Sequence, residues 1–84
     1  MINNRDRSNT NQLEYRLHYL HDGDDMDPRY YYSDNPVKEG DVIHNGNFYH
    51  FVAKVTQQKT GVRLSLCKSA QSVEEAELLA KQLL

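Results

Sequence analysis

The sequence predicts an α+β fold: a small, barrel-like, curled antiparallel sheet of four to five strands, with one C-terminal helix packed on its concave side. Three observations predict it. Leu13, Tyr15, Leu17 and Tyr19 alternate with Glu14, Arg16 and His18, the period of two that marks a half-buried strand. Asn45-Gly46 separates two apolar runs, a strong hairpin signal because both central positions of such a turn favour a positive φ. Ser72 stands three residues before Glu75 and opens a run of Val, Leu and Ala, a capping box at the head of an amphipathic helix.

Taken in order, Met1 to Gln12 is Asn-rich, shows neither period and is expected to be a disordered tail, leaving 13–84 as the single domain. After the Leu13–Tyr19 strand, the turn formers from Asp22 to Pro28 break the pattern, and Arg29–Ser33 forms a short second strand with three tyrosines. Asp34-Asn35-Pro36 turns the chain again. With the turn at Asn45-Gly46, Ile43 falls opposite Phe48 and Val42 opposite Tyr49. Val42, Tyr49, Phe51, Ala53 and Val55 then share a face. Pairing Val55 with Val62 adds Leu64 and Leu66 to it, and this face is the expected core. Val73, Ala76, Leu79, Ala80, Leu83 and Leu84 form the helix stripe that should cover it. The opposite face carries Ile43, Phe48, His50, Val52, Lys54, Arg63, Ser65 and Cys67. Its apolar strip, Ile43–Phe48–Val52, requires a cover. The favoured cover is the Leu13–Tyr19 strand closing a small barrel; the alternative is a second copy of the chain.

With 84 residues and a net charge of −2, the chain supports one small domain and no global attraction to nucleic acid or anionic membrane. A domain of this size buries only about 60% of its unfolded surface, so its stability margin is small. The one cysteine, Cys67, excludes an internal disulfide, and no apolar run reaches the length of a membrane span. A cytoplasmic, reducing setting is the expectation. Charge is uneven: Asp22, Asp24, Asp25 and Asp27 against Arg29 give −3. Lys38, Lys54, Lys59, Arg63 and Lys68 against Glu39 and Asp41 give +3.

The candidate chemistries fail on spacing. Counting Asp22 as the first position of a calcium loop, the sixth is Asp27 where glycine is needed and the twelfth is Ser33 where a bidentate Glu is needed. His18 and His21 are three apart on a strand and point to opposite faces, and no CxxC or HExxH accompanies them, so no metal or other cofactor is expected. Cys67 and His50 become cross-strand neighbours in the register above, an arrangement that activates a thiol when a third group orients the histidine. No such group is evident, and the chain is not expected to be an enzyme. The run from Lys38 to Gly46, built on Gly40-Asp41-Val42 and Gly46, is similar to the opening of KOW-type ribosomal and transcription-factor modules, where a Gly-Asp turn enters a small barrel. Many unrelated strands share that pattern.

By elimination the sequence reads as a non-catalytic module that binds a protein partner or its own copy, with no membrane association. Ile43, Phe48, Val52, Tyr31 and Leu78 are the expected contact residues. The alternative is a small β-barrel for single-stranded nucleic acid, with Lys54, Lys59, Arg63 and Lys68 along the backbone and Phe48, Tyr30, Tyr31 or Tyr32 under the bases.

Overall fold

The structure is a computed structural model and describes residues 12–23 and 28–84. The expected N-terminal tail, apart from Gln12, and the Asp24–Asp27 part of the acidic loop lie outside the described residues. The described elements are β1 (Leu13–Tyr19), β2 (Tyr30–Ser33), β3 (Val42–Asn45), β4 (Phe48–Gln58), β5 (Gly61–Leu66) and α1 (Val73–Leu83). The strands make one five-stranded sheet in the order β2-β1-β5-β4-β3, and α1 packs on β4 and the adjoining part of β3. The α+β architecture with a single C-terminal helix is therefore the expected one.

The sheet is mixed where an antiparallel one was expected. β1 joins β5 in parallel, Tyr15 beside Val62, Leu17 beside Leu64 and Tyr19 beside Leu66. Direction follows from parity: successive strands reverse, so the first and fifth run the same way when the sheet curls to bring them together. The curl carries the Tyr19 end of β1 across to β3, where the Asn45 side-chain amide donates to the Tyr19 hydroxyl at 3.2 Å. The Tyr19 hydroxyl in turn donates to the Pro28 carbonyl. At the other end of β1, Val37 from the β2–β3 connection enters the core, its N–H donating to the Tyr15 hydroxyl at 3.0 Å.

Two local features reset the register. The two residues between the paired Asn45 and Phe48 are Gly46 and Asn47, and only Gly46 has a positive φ, +67°. That is the requirement of a type II′ turn, with glycine first, in place of the Asn-Gly turn expected one residue earlier. Ile43 consequently faces His50 and Val42 faces Phe51. The second feature is a bulge between Val52, which faces Leu66, and Lys54, which faces Ser65. An extra residue in one strand inverts the alternation beyond it, so Val52 and Val55 point the same way while Phe51 points the other.

The core is accordingly not the predicted face. Tyr15, Tyr19, Val37, Ile43, Val52, Leu64 and Leu66 form the buried cluster, with Leu17, Tyr31, Val55 and Val62 packed against it. Val55, Leu64 and Leu66 were expected there; Val42, Tyr49, Phe51 and Ala53 fall on the opposite side. Ile43 and Val52, expected on the surface strip, lie inside with exposures of 4% and 0%. β1 closes over them, which is the favoured cover.

The helix lies on the face opposite this cluster, on the Phe51 side of β4, not on the concave side. Its start has the expected Ser72 cap, the Glu75 N–H donating to Ser72 Oγ at 3.1 Å, but the reciprocal bond of the box is shifted by one residue: Glu75 Oε1 accepts from the Gln71 N–H at 2.6 Å instead of from Ser72. Its packing stripe is not the expected one. Ala76 and Ala80 are buried and Leu79 is half-buried, while Val73, Leu83 and Leu84 are exposed. Small alanines let the helix approach the sheet closely, and this leaves the larger side chains at its margins.

Candidate functional site: the uncovered face of the sheet

Because α1 packs chiefly on β4 and β3, the outer face of β2 and β1 is left uncovered, and with it the half-buried Arg63 of β5, while Ser65 further along β5 is buried. Alternation and register determine what this face carries. Tyr32 sits beside Glu14, and Tyr30 beside Arg16. Arg16 sits beside Arg63 across the parallel pair, and Arg63 beside Thr56. Tyr30–Arg16–Arg63–Thr56 is therefore one continuous row over four strands, spaced about 4.8 Å per strand. His18, Ser65 and Lys54 form the next row. Tyr30 and Tyr32 are 45% and 55% exposed. A depression of about 200 Å³ lies beside the row, lined by Glu14, Arg16, Tyr30, Thr60, Gly61 and Val62.

Cations predominate on this face. Arg16, Lys54 and Arg63 share this face with Glu14, and the Glu39 carboxylate lies at its β4 edge, accepting from the Val55 N–H at 3.4 Å. An ion pair joins Lys68 to Asp22 at 3.7 Å, away from this face. The Arg63 Nε is buried and has no hydrogen-bond partner among the described residues. Two arginines side by side on adjacent strands repel unless an anion lies between them. Guanidinium forks match phosphate and carboxylate oxygens in two-point contacts.

Of the basic residues singled out from sequence, Lys54 and Arg63 come together on this face. Lys59 sits in the β4–β5 turn at its margin, and Lys68 is engaged by Asp22. Of the other predicted contact residues, Tyr31 packs against the core cluster, Phe48 is half-buried and Leu78 is exposed on α1, so the five do not form one surface. Arg16 and His18 were missed. They were legible as the polar side of the β1 alternation, but their position beside Arg63 and Ser65 depends on a pairing between distant segments.

The remaining candidate chemistries have structural roles. His50 Nδ1 lies 2.9 Å from the Cys67 carbonyl oxygen; that oxygen only accepts, so Nδ1 carries the hydrogen. The His50 ring stands edge-on to Tyr19, centroids 5.4 Å apart. His50 points into the core, while Cys67, one residue beyond the inward Leu66, points to the opposite face. The pair expected side by side is thus split by the sheet. Burial raises the Cys67 thiol pKa above its ordinary value, with the Lys68 backbone hydrogen bond opposing, so the thiolate is disfavoured. Asp22 from the acidic stretch accepts from the Ser69 N–H at 3.0 Å, tying the β1–β2 connection to the segment before α1. No cluster of metal-ligating side chains exists among the described residues, and no described helix is long and apolar enough to cross a membrane.

No protein-family model matches the chain, and searches of curated proteins and of solved structures find no match.

Proposed function

We propose that this chain is a non-catalytic binding module whose ligand surface is the outer face of β2, β1 and β5, and that the ligand is single-stranded nucleic acid. One observation carries the reading: the row Tyr30–Arg16–Arg63–Thr56 places an exposed aromatic ring beside two adjacent guanidiniums with no ion-pair partner among the described residues. Single-stranded ligands need both elements, since bases stack on rings while phosphates track cations. Lys54 and Lys59 extend the cationic track, and Tyr32 offers a second ring. The net charge of −2 does not oppose this, because the carboxylates lie largely elsewhere and a local patch sets the encounter. The buried, protonated thiol and the inward histidine support the non-catalytic part, and a cytoplasmic setting fits a chain with a single free cysteine.

The test is fluorescence-anisotropy titration of a labelled oligothymidylate or oligouridylate at a series of salt concentrations. Neutralising about three phosphates through Arg16, Lys54 and Arg63 gives a log–log salt slope of about −2. Replacing both Arg16 and Arg63 by Ala should reduce the slope by about 1 to 1.5 and weaken binding tenfold or more. Absence of binding at low salt, or a slope unchanged in the double variant, contradicts the proposal.

A second reading, a protein partner or self-association, is favoured by a different observation, the outward-facing leucines of α1.

A further inference from the structure

Helix α1 is packed with its small side chains inward and its large ones outward. Ala76 and Ala80 are buried, whereas Val73, Leu78, Leu83 and Leu84 are 42%, 53%, 42% and 63% exposed. Beside it runs a groove of about 530 Å³ lined by Phe51, Glu77, Ala80, Lys81 and Leu84. At about 100° per residue, Val73, Glu77, Ala80, Lys81 and Leu84 fall on one flank of the helix, so the flank that carries the groove has apolar ends and a charged middle, although Val73 itself lies outside the groove lining.

The charges of that flank are self-complementary. Glu77 precedes Lys81 by about one turn. An identical helix laid antiparallel across the groove, about a two-fold axis level with the midpoint between Glu77 and Lys81, sets its Lys81 beside this Glu77 and its Glu77 beside this Lys81. The same rotation carries each Leu84 toward the Val73 end of the other copy's helix. A two-fold interface must match itself in this way, each patch meeting its own image. We propose that the groove is filled by a second copy of this chain, forming a symmetric dimer through α1. The contact is short, well under the roughly 1,600 Å² of a standard interface, so the dimer is weak and concentration-dependent. It leaves Tyr30, Arg16 and Arg63 uncovered, so it stands or falls independently of the nucleic-acid reading.

The experiment is sedimentation velocity on the full chain from about ten micromolar to about one millimolar, with far-UV circular dichroism to confirm that each variant keeps its helix. The expected result is a shift from monomer toward dimer mass as concentration rises. Glu77→Lys alone or Lys81→Glu alone should each raise the dissociation constant about tenfold by placing like charges together twice. The double swap Glu77→Lys with Lys81→Glu should restore it, because both pairs re-form with reversed polarity. Leu84→Asp, a change at an exposed position, should abolish association. A monomer at every concentration overturns the proposal and leaves the groove to a different protein. A dimer indifferent to the charge reversals overturns it by assigning association to another surface.

Discussion

Inside the curl the sheet is closed by large apolar side chains, Val52, Leu64 and Leu66 without measurable exposure, and by polar groups that are each paired. Asn45 donates to Tyr19, His50 bonds the Cys67 carbonyl, and Tyr15 accepts from Val37. Outside, the same sheet is covered over only part of its width, by a helix that seats two alanines and half-buries Leu79 while Leu78, Leu83 and Leu84 are exposed. The rest of that face is cationic and aromatic. The difference separates two tasks. The inner face carries stability, because every group there is desolvated and a partner lost is not replaced by water. The outer face is desolvated only under α1, where Cys67, Ala76 and Ala80 are buried, and leaves Arg16, Tyr30, Tyr32 and Leu78 exposed to solvent.

This contrast is broken or sharpened by making one chemical change on both sides. Leu66→Ala should destabilise the protein by about 2–5 kcal/mol, through lost transfer free energy and a cavity that close-packed neighbours cannot fill. Urea denaturation followed by circular dichroism reads the shift in midpoint. For a domain of this size that loss is a large share of the total, so Leu66→Ala should be substantially unfolded well below the wild-type midpoint. Leu78→Ala, at an exposed helix position, should change stability by no more than about 0.5 kcal/mol in the same assay. Similar losses at the two positions would mean that the outer face is part of the core after all.

The strands and the helix were readable because each rests on a local signal. The alternation at Leu13–Tyr19, the Gly46 turn and the Ser72–Glu75 cap act within a few residues of chain. The face of the core was not readable, because the bulge after Val52 carries no decisive mark: Ala53 is neither glycine nor proline, and the consecutive apolar residues Phe51, Val52 and Ala53 fit either face. One inserted residue was enough to move Ile43 and Val52 from an expected surface strip to the interior, and Phe51 from the interior to the helix side. The candidate site was half legible for a related reason. Lys54 and Arg63 sit on strands joined by a short turn, whereas Arg16 meets Arg63 only through the parallel pairing of the first and last strands. That pairing is long-range and leaves no local pattern.

Whether the outer face of β2, β1 and β5 is the proposed ligand surface is decided by a ¹H–¹⁵N correlation spectrum of the labelled protein titrated with a short oligothymidylate at low salt. Shifts should concentrate at Tyr30, Tyr32, Arg16, His18, Arg63 and Lys54, with α1 unmoved. Shifts confined to α1 and Phe51, or none at all, would contradict that assignment.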